Sequence, residues 1–313
     1  MNQTTLGVIY AILACAAWAV AYVTPVYLSF FSPVEIVFFR YAIYGIISSF
    51  FFVLNGKKIF HTKKIFFTSV LFALSSNIFY YILLVIGMRL AGEEIAIVII
   101  GILPLTVTYF GNLSEKYIPV KKIAMPLFYI LAGLLVVNVA RTGILHSEIN
   151  ISVLGYLCLF GAVILWTWFG VANTNFLKTH RQISSMEWAN ATGATTLMTT
   201  LLFAIPFFLF SDQHRLDTLC ATLKRESSLI HFLILAIFPS FLAGILWNKA
   251  SKALPISISG QLTILETVFG VTYIYIAKKE WPGGFELAGI ALILFGIRSS
   301  LLIFKKHMHT QGF

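Results

Sequence analysis

An all-α membrane protein of ten transmembrane helices, built as two inverted five-helix repeats, is the fold this sequence predicts, and three observations predict it. Mean hydropathy is +0.89, with 59% hydrophobic and only 11% charged residues, more apolar surface than a soluble chain of 313 residues can bury. Apolar runs of membrane-crossing length recur ten times. The second half of the chain also echoes the first.

In order, the runs are 6–30, 33–54, 65–88, 91–113, 123–140, 153–176, 186–210, 229–250, 256–277 and 285–304. At about 1.5 Å rise per residue, runs of this length match a hydrocarbon core of roughly 30 Å. The first contains Ala19-Val20-Ala21, which resembles a cleavage site, but no Lys or Arg precedes it and it continues through Tyr27, so it is expected to be a retained span. The longest connection is the polar stretch 211–228, which leaves no room for a soluble domain.

With the N-terminus inside, thirteen Lys and Arg between Lys57 and Lys306 fall on the cytoplasmic side and seven, among them Arg141, Arg215, Lys224 and Arg225, on the other. By the positive-inside rule both termini are expected in the cytoplasm. The net charge of +10 therefore serves as topology signal, and no basic domain exists to hold nucleic acid. Cys15, Cys158 and Cys220 have neither disulfide nor metal spacing and are expected to be small hydrophobes.

The echo between halves is specific. Gly7 and Trp18 in the first run match Gly155 and Trp166 in the sixth, and Ser32-Pro33-Val34-Glu35 opens the second run as Ser184-Ser185-Met186-Glu187 opens the seventh. Leu103-Pro104-Leu105 stands in the fourth where Leu265-Glu266-Thr267 stands in the ninth. Five spans per half make the second copy enter the membrane from the opposite side, an architecture found mainly in secondary transporters with a midplane site. The repeats are expected over residues 1–145 and 146–313.

The ninth run carries a single carboxylate, Glu266, near the membrane centre. An acidic group there costs roughly 2.5–3.5 kcal/mol and usually faces a protein interior or wet cavity. Ser259, Thr263, Glu266, Gly270 and Tyr273 recur at alternating spacings of four and three, which places them on one face of a continuous helix. Trp18 and Tyr22 share a face of the first run, and Trp166, Gly170 and Asn173 one of the sixth. The tryptophans lie mid-span, where interfacial aromatic belts do not form, so they are expected to wall a cavity; helix packing is the alternative. Asn77 and Tyr81 share a face of the third run, and Ser240, Gly244, Trp247 and Ser251 one of the eighth, with Asn248 beside them. These amides suit either a ligand or a neighbouring helix.

Arg40 and Arg298 can snorkel; Arg298 is assigned a structural role and Arg40 a structural role with substrate contact as the alternative, and Glu35, Glu93, Glu94, Glu115, Glu187 and Glu280 lie at span or loop ends where a carboxylate is readily solvated. The seven histidines fall in loops, in the tail or at a span edge, so no intramembrane metal or acid–base cluster forms, and no cofactor is expected. Asn150-Ile151-Ser152 fits a glycosylation acceptor, although the loop is short.

Ten spans in two repeats, the Gly7-to-Trp18 first span, Arg40 in the second, Pro104 in the fourth and Glu115 after it together resemble the drug/metabolite transporter superfamily, EamA-like branch. The resemblance covers nearly the whole chain and rests on the order of individually weak motifs. It implies that spans 1, 3, 4, 6, 8 and 9 line a cavity and spans 2, 5, 7 and 10 lie outside them. The chain departs from that family at Glu266, where a proline is common.

The expected function is secondary active transport of a small metabolite, such as an amino acid or amine, across the bacterial inner membrane by alternating access. Glu266 is the candidate proton-coupling group. Substrate contacts are expected from Trp18, Tyr22, Asn77, Tyr81, Trp166, Asn173, Trp247, Asn248, Thr263, Glu266 and Tyr273. Expected partners are the small-molecule substrate, membrane lipid and, in a homodimer, a second copy. The competing readings are a membrane-embedded lipid- or isoprenoid-modifying enzyme, which needs a polar pair the sequence does not supply, and a non-transporting assembly protein, which has no need of a midplane carboxylate.

Overall fold

The computed structural model describes residues 2–28, 30–55, 59, 62–115, 119–142, 152–223 and 226–310. Lys57, Lys58, Lys116, Lys224, Arg225, Asn150, Ile151 and the repeat boundary at 145/146 lie outside these residues, and the side chain of Tyr22 also lies outside what is described.

Helix α1 (Gln3–Ala19) begins where the Asn2 side chain accepts the Thr4 N–H at 3.3 Å, then tightens into 3₁₀ turns at Val20–Tyr22 and Thr24–Leu28. After α2 (Pro33–Asn55) come α3 (Lys63–Ala73), a π-helical turn (Leu74–Phe79) and α4 (Tyr80–Ala91). Gly92, at φ 94°, ends α4 in a conformation closed to most other residues. Helices α5 (Glu93–Ile100), α6 (Leu103–Glu115) and α7 (Val120–Thr142) complete the first half. The second half runs α8 (Val153–Thr179), α9 (Ser185–Leu209), a connecting helix α10 (Gln213–Leu223), α11 (Glu226–Ala236), a second π turn (Ile237–Leu242) and α12 (Ala243–Ala253). It ends with α13 (Ile256–Leu262), α14 (Leu265–Lys278) and α15 (Gly284–Thr310). Among the described residues there is no strand.

Seven helical stretches among the described residues are long and apolar enough to cross a membrane: Val34–Leu54, Lys63–Ala91, Val153–Thr179, Ser185–Leu209, Ser228–Ala253, Ile256–Ala277 and Gly284–His307. Gln3–Ala19 is a shorter apolar helix. Phe50, Phe67, Ile164 and Leu202 are each more than half exposed, an outer surface that lipid covers and water would not. The chain is a multi-pass membrane protein.

The halves repeat in structure. Ser32 and Ser184 each accept the N–H of the Glu three residues on, at 3.3 and 3.1 Å. Glu35 and Glu187 accept the serine N–H in return at 2.7 and 2.8 Å, so the sequence echo is one capping box built twice. The third predicted span is a helix of 11 residues, a π turn of 6 and a helix of 12; the eighth is 11, 6 and 11. A π turn inserts a residue into the α repeat and rotates everything after it. Partners change accordingly: α3 packs on α9 but α4 on α8, while α11 packs on α2 and α12 on α1.

The most extensive helix contacts pair α2 with α9 and α7 with α15. A methyl at Gly45 would stand 2.8 Å from Leu197 Cα, and one at Gly133 2.5 Å from the Gly289 carbonyl oxygen. Backbone meets backbone at both crossings, which only glycine permits.

Candidate functional site

The ninth apolar run is not one helix, which corrects the expectation of a continuous polar face. At Thr263–Ile264 the backbone stays in the αR region but its bonds shorten to three residues: Ile264 N–H to Gln261 O (3.4 Å), Glu266 N–H to Thr263 O (3.0 Å) and Thr267 N–H to Ile264 O (3.0 Å). The Leu262 carbonyl, which Glu266 would serve in an α-helix, instead accepts the Cys15 thiol at 3.3 Å. Cys15, expected as an inert hydrophobe, thus supplies a donor at the break. Ser259 and Thr263 hydroxyls turn back onto Ile256 O (3.1 Å) and Gly260 O (2.6 Å), so the polar face dissolves into local bonds.

The fourth run breaks at the matching place. Gly101 and Ile102 separate α5 from α6, and Ile102 N–H reaches Ile99 O at 3.1 Å. Each break opens a helix whose second residue suits a first turn: Pro104, which has no N–H to lose, and Glu266, whose carboxylate favours the positive end of the helix dipole.

The two expected wall residues, Trp18 and Trp166, meet Trp247, an expected substrate contact, beside the breaks. Trp18 lies 6.2 Å from Trp166, edge to face, and 5.0 Å from Trp247, centroid to centroid. Trp247 is buried with an indole N–H that has no partner, a donor costing about 1–3 kcal/mol until something accepts it. One turn away, a methyl added at Gly244 would meet no atom within 4 Å, so open space lies beside this face of α12.

One turn further, Pro239 cannot donate to Leu235 O, and the Ser240 hydroxyl does so instead at 3.1 Å. Arg40 holds this π turn from α2, its Nε donating to Ser240 Oγ at 2.9 Å and Nη2 to Pro239 O at 3.4 Å, with the guanidinium 5.2 Å from the Tyr41 ring centroid. The Tyr80 hydroxyl lies within electrostatic reach of both Glu266 and Arg40, and Tyr81 within reach of Arg40.

On the other side of the tryptophans the helices are tied together. Asn173 donates to Asn248 Oδ1 at 3.1 Å and accepts the Trp188 indole N–H at 2.8 Å; Asn248 donates to Ser185 O at 3.4 Å. Glu115, at the end of α6, accepts from Lys178 Nζ at 2.5 Å with one oxygen and from the Ile256 N–H at 2.6 Å with the other. A methyl at Gly111 would overlap Ile256 at 2.3 Å, and one at Gly260 would stand 2.9 Å from Thr108 N. At this Glu115 end, α6, α8 and α13 are therefore in direct contact.

At the opposite end, α5 packs on α4, α7 and α8 while α14 packs on α1 and its 3₁₀ turn. A cleft of ≈ 350 Å³ opens there, with Tyr273 on one wall and Tyr27, stacked 4.7 Å from His231, on another. Arg215 of α10 donates to both Glu35 oxygens at 3.0 and 2.5 Å. Accepting these bonds, Glu35 raises the Arg215 pKa further above its ordinary value.

The expected site residues thus separate into groups. Trp18, Trp166 and Trp247 come together, with Glu266 half-buried near Tyr80. Tyr81 lies on the Arg40 side, and Asn77 donates to Thr196 Oγ1 at 3.0 Å. Asn173 and Asn248 bond each other, Thr263 marks the break, and Tyr273 faces the cleft. Sequence reasoning placed Gly244 on the Trp247 face without making it a site residue, and it passed over Tyr80 and the partners of Glu115.

The EamA-like transporter family model matches the chain twice, over residues 5–139 and 152–302. Inner membrane protein YtfF of Escherichia coli (strain K12) is 26% identical over 299 residues, covering 93% of each chain. A solved structure described only as "Crystal structure of protein" superposes with a TM-score of 0.78 over 96% of this chain and 98% of its own, at 17% identity, a likeness of fold.

Proposed function

Because the chain belongs to the EamA-like transporter family, we propose that it is a secondary active transporter carrying a small metabolite through the bacterial inner membrane by alternating access. The observation that carries this reading is the pair of helix breaks at matched positions of the two halves, beside a three-tryptophan cluster with open space along its wall. In this reading the chain has ten spans, the halves are inverted copies, and both termini are cytoplasmic. The doubled family match, the twin π turns and the twin capping boxes support the duplication. The charge count supports the orientation, so cysteines placed at Asn55 and Thr218 should label from opposite sides in intact cells; labelling from one side would remove the inverted relation.

The Glu115 end is then the closed, cytoplasmic side, and the tryptophans form the floor of a cavity open to the other. Reconstituted protein should exchange labelled substrate across liposomes. Trp166→Ala and Trp18→Ala should each weaken ligand binding about tenfold, from lost aromatic contact, while the protein still inserts and purifies. Unchanged affinity in both variants would return the tryptophans to helix packing.

A further inference from the structure

Resting on that transport reading, we infer that Arg40 binds the carboxylate of the transported molecule, which is a small organic acid with an apolar body. Arg40 lies about 10 Å along a helix that starts at Pro33, half-buried, at a depth where a charge is costly. Lys178 and Arg215 each pair with a carboxylate, Glu115 and Glu35 respectively. Arg40 has only neutral partners: a hydroxyl, a carbonyl and a tyrosine ring. Those two hydrogen bonds leave three of its five donors unspent.

A guanidinium in this state is preorganised. Ser240 and Pro239 fix its plane, and the planar fork matches a carboxylate at two points, as a lysine ammonium would not. The π turn that carries these acceptors is continuous with the open face at Gly244 and with Trp247 one turn beyond. A ligand whose carboxylate meets Arg40 therefore lays its apolar part along Gly244 onto Trp247 and Trp18. The unpartnered Trp247 N–H offers a further contact to any acceptor on that body.

The test uses the purified full chain in a neutral detergent, with hexanoate, phenylacetate and indole-3-acetate as probes against their amides, and tryptamine as a cation. Thermal shift and direct binding should show at least one acid bound about tenfold tighter than its amide, as a charge-assisted pair requires. Arg40→Gln should abolish that preference and Arg40→Lys should keep only part of it. The acid–amide comparison on the unaltered chain decides the matter even if the variants fold poorly. Equal binding of acid and amide, a preference that survives Arg40→Gln, or no binding by any acid overturns the proposal. If an amide or tryptamine binds and Trp166→Ala removes it, the cavity stands and only the carboxylate assignment falls; if no probe binds, the cavity reading falls too. Phosphatidylglycerol added alone distinguishes the source of the anion: stabilisation by that lipid and not by the acids makes Arg40 a lipid anchor.

Discussion

Glu266→Gln should abolish gradient-driven accumulation of substrate while leaving exchange and binding in place. The substitution keeps shape and most hydrogen-bonding capacity but cannot release a proton. One proton per cycle supports about a tenfold concentration ratio for each unit of pH difference, and the variant should fall to a ratio near one. Glu266 opens α14 at the break in the ninth span, near Tyr80 and beside the cysteine that fills the free Leu262 carbonyl, so a change in its charge acts where the helix is interrupted. The measurement is uptake into proteoliposomes with an imposed pH gradient, alongside counterflow without one. A Gln variant that concentrates substrate normally, with unchanged pH dependence, makes Glu266 structural.

The second large effect is expected at the closed end. Glu115 accepts two charge-assisted or helix-terminal bonds at once, from α8 and from the first residue of α13. Glu115→Gln supplies an acceptor for only one of them and leaves Lys178 without its counter-ion. With side chains 29% and 15% exposed, screening reduces the loss to about 1–2 kcal/mol, a shift of about five- to thirtyfold toward opening. Gly170 is a suitable reporter, because an added Cβ there meets nothing nearer than 3.6 Å. In a Gly170→Cys background, labelling from the Glu115 side should accelerate in proportion, and an unchanged rate would show that the contact does not hold that end shut.

What could be read in the sequence was whatever is local or periodic. The capping boxes at Ser32 and Ser184 need only four consecutive residues, and the tryptophans stood out by mid-span position. The break at Gly101–Ile102 contains a glycine, which sequence marks as flexible, but its counterpart falls at Thr263–Ile264, where no glycine stands. Those two residues keep αR angles, and only the bonding pattern changes, which composition cannot show. Pro239 announces one π turn, whereas Leu74–Phe79 has no proline and uses Ser75 and Ser76 hydroxyls on Phe72 O. Asn173 and Asn248 join helices that are far apart in the chain, a pairing no helical periodicity encodes.

The π turns also decide what can move. Each of the two helices that contains one divides its main packing, its first half lying on α9 or α2 and its second half mainly on α8 or α1. A rod gripped by two bodies cannot follow both if they rotate apart. The fourth and ninth apolar runs are divided as well, so four of the helical runs are interrupted along their length. A hinge map drawn in whole helices would therefore assign each π-turn helix to one body, although its two halves have different main partners.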